Sequence, residues 1–307
     1  MRTPVQVVDT PDALALQRSV VCPGNFDGVH LGHQLLLSRM QELAAAEGLP
    51  SVIITFFPPA KTYFRGGAYL SGQDEKTALL ARFEPTAIVM IHFDHAYAQT
   101  PKGVFLDQLR RLSPRAIIVG EDFRFGHDRA GGLDDLQHVT EKLEVFGKWR
   151  QDGEAVSSSR VRRLLEEGQV EAANQLLGYP YLAKGVVVQG DHRGRTIGFP
   201  TANVRTPEGK ALPIGAFAVT VDTRRGTHLG MASTGPRPGF PDNAPPIEVH
   251  LFDFQGDLYE ERITVHFHHF LHAQMPVDGL EALKRLLQDD ESRARELLAN
   301  TALHSHP

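Results

Sequence analysis

Residues 24–33 read Gly24-Asn25-Phe26-Asp27-Gly28-Val29-His30-Leu31-Gly32-His33, and this stretch decides the fold of the first half of the chain. The run ahead of it, residues 19–22, is short and apolar, as a strand would be. The run after it carries Leu36, Met40 and Leu43 at helical spacing and reaches about Ala46. A strand that passes through glycines into a helix sets free amides and the positive end of the helix dipole where an anion can bind. Small glycines let the anion approach the backbone. His30 and His33 stand at the same place, so the stretch is a candidate phosphate site.

Outward from it, strand and helix patterns alternate. Residues 51–57 (SVIITFF) are continuously apolar, as expected of a strand covered on both faces. A helix is expected over 74–83, a strand over 87–93, a helix over 101–112 and a strand over 116–119, with a less regular stretch over 143–149. This alternation predicts a doubly wound, Rossmann-like α/β domain with a parallel sheet. Ligands of such sheets bind beyond the carboxyl ends of the strands. Three loops lie there: residues 24–33, the FFPPAK turn after Thr55, and residues 120–132 after Val119. Farther on, Val156-Ser157-Ser158-Ser159-Arg160-Val161-Arg162 places hydroxyls at a helix start with arginines in its first turn. Cations there oppose the dipole, which an anion nearby would explain, although a solvated basic face is the alternative.

Near residues 178–182 the pattern changes to short strands and turns: GVVVQ, FPTANV, AFAVTV, IEVHLFDF and ERITVHF. These predict a small antiparallel β-barrel. Gly256-Asp257, between two apolar runs, reads as a hairpin turn. A C-terminal helix over 278–299 should turn Leu280, Leu283, Leu287 and Leu298 to its apolar side, and 303–307 should fray. The domains expected are therefore 1–180 and 181–302.

Composition narrows the class. The chain has 307 residues, 41% hydrophobic and 22% charged, with a net charge of −5. That balance fits two folded domains and gives no reason to expect nucleic acid as a partner. No run is long enough to cross a bilayer, and the start lacks a signal-peptide pattern. A single cysteine, Cys22, in an apolar strand reads as a buried, inert thiol and fits a reducing compartment. A cytoplasmic protein with no membrane and no obligate protein partner is expected.

In the second domain, residues 190–203 (GDHRGRTIGFPTAN) space Gly190, Gly194 and Gly198 in a loop that could wrap phosphates, without the GxxxxGK[ST] of a P-loop. Thr201 and Asn203 fall on one face of an extended strand, and a hydroxyl beside an amide oxygen suits Mg²⁺. Glu248, among β-forming neighbours, is either a general base or an outward strand glutamate. His266, His268, His269 and His272 resemble a metal cluster but lack a carboxylate or cysteine at matched spacing. A metal reading of His30 and His33 lacks a third ligand in the same way.

Together, GNFDGVHLGH, VGEDFRFG, VSSSRVR, GRTIGFPTANV, IEVHLFDFQGDLY and EALKRLLQDDESRARELL, in this order, resemble the bacterial bifunctional riboflavin kinase/FAD synthetase family over nearly the whole chain. The resemblance implies a nucleotidylyltransferase-type domain that joins AMP from ATP to FMN. It implies a Greek-key barrel kinase that phosphorylates riboflavin. By position, His30, His33, Ser158 and Arg162 would hold ATP phosphates, with Gly24, Asn25, Asp27, Gly32, Asp122 and Ser157 around them. In the kinase, Gly190, Arg195 and Gly198 would bind phosphate, Thr201 and Asn203 would bind Mg²⁺, Glu248 would be the base, and Arg237 would lie on the flavin-site loop. The family pattern TFEPHP becomes Thr55-Phe56-Phe57-Pro58-Pro59-Ala60 here, without the acid or the histidine. That departure supports a second reading, a riboflavin kinase whose adenylyltransferase is weakened or lost.

Overall fold

The computed structural model describes residues 5–190, 198–235 and 247–302. The chain divides into two compact units, Met1–Ser158 and Ser159–Pro307.

The first unit is built on six parallel strands: β1 (Gln6–Val8), β2 (Ser19–Pro23), β3 (Ser51–Phe57), β4 (Ala87–His92), β5 (Pro114–Gly120) and β6 (Lys142–Phe146). Their order is β1-β4-β3-β2-β5-β6. Successive residues Val20, Val21 and Cys22, and Val52, Ile53 and Ile54, are all fully buried. Both faces of the centre are therefore covered, which is why these strands read as unbroken apolar runs. Helices α1 (Leu31–Glu47), α2 (Ala60–Arg65), α3 (Gln73–Ala81), α4 (His95–Ala98), α5 (Lys102–Arg110) and α6 (Leu133–Gln137) make the connections. One face of the sheet packs Val21, Ile54, Val89 and Ile117 against Phe105, Leu106 and Leu109 of α5. Strand order reverses at β2, with β3 on one side and β5 on the other, so the loops after β2 and β5 flank a topological switch point. The sequence pattern does not mark β1 or β6. β1 has three residues, and β6 is an edge strand in which no residue is fully buried.

A two-stranded ribbon, β7 (Arg150–Gln151) with β8 (Glu154–Ala155), leads to α7 (Ser158–Glu166) and α8 (Val170–Leu177). The second unit is a closed barrel of β9 (Tyr181–Val188), β10 (Ala202–Arg205), β11 (Gly215–Thr223), β12 (Gly226–Thr234), β13 (Ile247–Leu251) and β14 (Arg262–His272), in the order β10-β13-β12-β11-β14-β9. Strands β11, β12 and β13 follow one another, and β14 returns beside β11, which is a Greek key. The expected hairpin at Gly256-Asp257 is absent, because β13 pairs with β10 and β12 while β14 pairs with β11 and β9. Gly256-Asp257 turns inside the longer connection that the Greek key requires, where Asp257 accepts from the amide of Tyr259. The C-terminal helix, Leu280–Ala302, covers the outer face of β11, β12 and β14. Its Leu283, Leu287, Leu297, Leu298 and Ala294 pack against Ala218, Met231, Phe252 and Leu271. Leu280, expected on that side, is 60% exposed, since it opens the helix before the first turn reaches the barrel. α8 also packs on the barrel: the amide of Asn174 donates to Phe267 O, and its oxygen accepts from Tyr181 N. The terminal residues 303–307 lie outside the described residues.

Candidate active sites

In the first unit the loop after β2 is tightly wound. Phe26, Gly28 and Val29 have φ of 45°, 78° and 37°. Positive φ is costly for a β-branched residue such as Val29, so surrounding contacts must impose it. They come from the connection before α3. The Asp27 carboxylate, buried, accepts from the amides of Leu70 and Ser71, and the Ser71 hydroxyl accepts from Gly28 N. Ser158, first residue of α7, donates its hydroxyl to Asp27 O at 2.8 Å. Asn25 reaches the turn after β3, its side-chain oxygen accepting from Ala60 N.

This loop sets His30 at the N-cap of α1, and no side chain caps that helix end. The rings of His30 and His33 stack, with centroids 3.6 Å apart and planes 17° apart, and Phe26 meets His33 edge-on. The Nδ1 atoms of both histidines are buried without a hydrogen-bond partner. Burial pulls His30 down to about 4, against the opposing pull of Asp27. Burial, then the neighbouring His30 and Lys76, hold His33 well below the ordinary imidazole value. Both rings are thus neutral at pH 7, with nitrogens ready to meet an anion at a helix N-terminus. Gly32 lies against the His30 ring and Trp149, where a Cβ would be in ordinary contact at 3.4 Å and 3.5 Å.

Sequence reasoning misses Lys76. It lies on α3 and is fully buried, its ammonium donating to Asn25 O at 2.9 Å and Phe56 O at 2.7 Å. It ties the loop after β2 to the end of β3. It stands 5.9 Å from the centroid of the Phe57 ring, the position where the family pattern carries an acid. Burial lowers it to about 8, although Asp27 favours the charge. Asp122 is exposed near Lys148, and Gly120 passes its chain beside it. Gly24 hydrogen-bonds Ile54 O through its amide. Arg162 lies one turn along α7 from Ser158, the same face of that helix; Ser157 immediately precedes it.

In the barrel, Ile247, Val249 and Val204 are fully buried and point inward. The alternate residues Glu248 and Asn203 therefore face outward. The register pairs Asn203 with Glu248 across β10 and β13, and Glu248 with Ser233 across β13 and β12. An amide, a carboxylate and a hydroxyl form one row, with side chains about 5 Å apart. Thr201 precedes β10, exposed, two residues before Asn203. A Cβ on Gly190 would overlap the Asn203 side-chain amide, so only glycine lets that side chain lie where it does. Gly198, φ 88°, turns the chain toward Phe199. Arg195 and Arg237 lie outside the described residues.

The β14 histidines each meet a different side chain. His266 meets Asp222 at 2.7 Å, His268 meets the Thr220 hydroxyl at 2.9 Å, His269 lies 3.6 Å from Glu171, and His272 meets Asp290 at 2.9 Å. Among the described residues no three His, Cys, Asp or Glu side chains gather as a metal site.

A parallel sheet with paired histidines at its switch point, together with a barrel carrying an amide, a carboxylate and a hydroxyl in one row, is the arrangement of a phosphate-handling protein with two candidate centres. Comparison with known proteins narrows this. A family profile described as FAD synthetase matches residues 13–160, and one described as riboflavin kinase matches 177–298. Bifunctional riboflavin kinase/FMN adenylyltransferases are similar throughout. That of Listeria monocytogenes is 34% identical over 91% of this chain and 92% of its own. That of Pseudomonas fluorescens is 35% identical over 91% and 93%, and that of Escherichia coli 34% over 92% and 93%. A solved structure from Streptococcus pneumoniae, titled a macrolide-efflux protein, is 27% identical with a TM-score of 0.85, covering 95% of this chain and 99% of that one. The chain belongs to the bifunctional riboflavin kinase/FMN adenylyltransferase family. It phosphorylates riboflavin to FMN with ATP and adenylylates FMN to FAD. No helix among the described residues is long and apolar enough to cross a membrane.

Proposed function

We propose that the kinase centre is the outward row on β10 and β13, and that the adenylyltransferase centre is the loop after β2. The observation that carries the first assignment is the pairing of Asn203 with Glu248. Glu248 orients the ribityl 5′-hydroxyl of riboflavin. The hydroxyl oxygen bonds to the γ-phosphorus of ATP, the bond to the bridging oxygen breaks, ADP leaves, and the hydroxyl proton passes to the Glu248 carboxylate. Because phosphoryl transfer is loose, the carboxylate contributes more by positioning than by early deprotonation. Thr201 and Asn203 supply hard oxygen donors, and Gly190 leaves room for the Asn203 amide, so the residues fit Mg²⁺. Mg²⁺ held there would neutralise phosphate charge. Gly190, Gly198 and Arg195 contact the nucleotide phosphates, and Arg237 belongs to the flavin loop.

In the first unit, an FMN phosphate oxygen bonds to the α-phosphorus of ATP and pyrophosphate departs. His30, His33, Ser158 and Arg162 hold the phosphates, Gly24, Asn25, Gly32, Asp122 and Ser157 line them, and Asp27 fixes the loop. Such a transfer depends on placement and charge stabilisation rather than on covalent catalysis by the protein. The adenylyltransferase is assigned to residues 1–180 and the kinase to 181–302. By motif α7 and α8 belong to the former, and by packing they group with the barrel. The enzyme works in the cytoplasm on small molecules, with no nucleic acid, membrane or obligate protein partner. The modest negative charge and the one buried cysteine support this.

The test is to incubate the protein with Mg-ATP and riboflavin and to resolve riboflavin, FMN and FAD by chromatography. Glu248→Gln should depress FMN formation by about a hundredfold or more while supplied FMN still becomes FAD. Equal loss of both steps would overturn the assignment of separate centres. FMN that never proceeds to FAD in the parent protein would favour the reading based on Phe57 and Pro59.

A further inference from the structure

β13 carries a second polar side chain on the face of Glu248. His250 is two residues along, 9% exposed, and its Nδ1 lies 2.8 Å from Pro200 O. A carbonyl only accepts, so Nδ1 carries the proton and donates. The contact falls where backbone pairing runs out. The last paired residues between β10 and β13 in this direction are Ala202 and Val249. Pro200 has no N–H, so its carbonyl is its only backbone hydrogen-bonding group. The His250 side chain therefore continues the ladder by one bond past its end.

The neighbouring residue is held as well. Phe199 is buried in the cluster under the C-terminal helix, with Met231, Phe252, Leu271 and Leu298. The His250 ring meets Phe199 edge-on at 5.3 Å and Phe252 at 5.9 Å. Phe199 is anchored by packing, Pro200 by the imidazole, and the next residue is Thr201, which is exposed. We propose that His250 is a positioning residue for the kinase centre, fixing the Pro200-Thr201 peptide so that Thr201 presents its hydroxyl at a set distance from Asn203 and Glu248. One strand then supplies both the carboxylate and the clamp on the metal-side loop. This rests on the assignment of Thr201 to Mg²⁺.

Three substitutions separate the hydrogen bond from the packing. His250→Ala removes both, His250→Phe keeps a ring between Phe199 and Phe252 without the donor, and His250→Asn keeps a donor at the matching position. Loss of one net hydrogen bond should raise the Mg²⁺ concentration for half-maximal FMN formation about tenfold in the Ala and Phe variants. The KM for riboflavin should move by no more than about twofold, and the Asn variant should return to within about threefold of the parent. Without turnover, amide exchange at Thr201 and Ala202 should quicken in the Ala and Phe variants and stay parental in Asn. Adenylylation of supplied FMN by the same preparations checks that the chain is folded. A parental Mg²⁺ requirement in His250→Phe, or equal impairment of Phe and Asn, overturns the proposal. Thr201→Ala serves as the control. If it leaves the Mg²⁺ requirement unchanged, the metal assignment itself fails; if it raises it while His250→Phe does not, only the clamp fails.

Discussion

Lys76→Met tests the least expected feature of the adenylyltransferase unit, a fully buried ammonium that donates to two main-chain oxygens. Its fall from 10.5 to about 8 corresponds to about 3 kcal/mol against the charged form in the fold. The unfolded chain keeps the proton up to 10.5, whereas the folded chain releases it near 8. The full penalty therefore applies below pH 8 and is relieved as pH rises toward 10.5. Between about pH 7.5 and 9.5 this group should add about 2 kcal/mol of stability to the parent. Methionine abolishes the penalty but also removes the donors to Asn25 O and Phe56 O, each worth about 1.5–3 kcal/mol for a charged donor. Asn25 O keeps the Thr55 hydroxyl as a donor. The opposing effects leave the variant within about 2 kcal/mol of the parent at about pH 7.5. Its loop after β2 loses the Lys76 tie to the end of β3, and FMN adenylylation should drop by about tenfold to a hundredfold. Urea unfolding followed by fluorescence of Trp149, the single tryptophan, reads the stability of this unit at the two pH values. An equal gain with pH in both proteins would refute the buried cation. Parental FAD formation in the variant would refute the tether.

The stacked histidines make a prediction about protons. Both are neutral at pH 7 because burial disfavours their charge, and a triphosphate against them favours it. ATP binding at about pH 6 should therefore take up protons, read by calorimetry in buffers of different ionisation enthalpy. The uptake should shrink when His30 and His33 are both replaced by Ala, and undiminished uptake would remove them from the site. His30→Ala alone should lower FAD formation from FMN while FMN formation from riboflavin persists, and chromatography of both products decides it. Gly190→Ala drives a methyl group into the Asn203 amide, so that side chain must leave its position. FMN formation should fall at least about tenfold with adenylylation intact, and a parental Mg²⁺ requirement would show that Asn203 is not held from Gly190.

Much of this was legible in the chain itself, for identifiable reasons. Doubly buried strands such as β3 write themselves as apolar runs, and glycines with histidines before a helix mark the loop proposed for phosphate. β6 was obscured because it lies at the sheet edge with no fully buried residue, and its Lys142 and Glu144 break the apolar run. Gly256-Asp257 carried a genuine turn signal, but turn chemistry does not say which strand comes next in space. The Greek key sends β14 to β11 instead of back to β13. Lys76 sits in Asp74-Glu75-Lys76, which reads as a solvated helix start, and only tertiary packing buries it. The fit of Asn203 over Gly190 and the bond from His250 to Pro200 join side chains to backbone that strand pairing, not local pattern, brings together.

The row of Asn203, Glu248 and Ser233 has a consequence for how the barrel tolerates change. Its parts are fixed to one another by strand register alone, and side chains alternate along a strand. A slip of β13 by one residue would carry Glu248 into the interior and bring Ile247 or Val249 out into the row. A slip by two toward the start of the strand would restore the alternation but set His250 in place of the carboxylate. Insertions and deletions in the connections to β13 are therefore harmless only when they are absorbed wholly as loop. The proposed kinase centre behaves as a reading frame written in hydrogen bonds, where a shift too small to unfold the barrel would be enough to erase its chemistry.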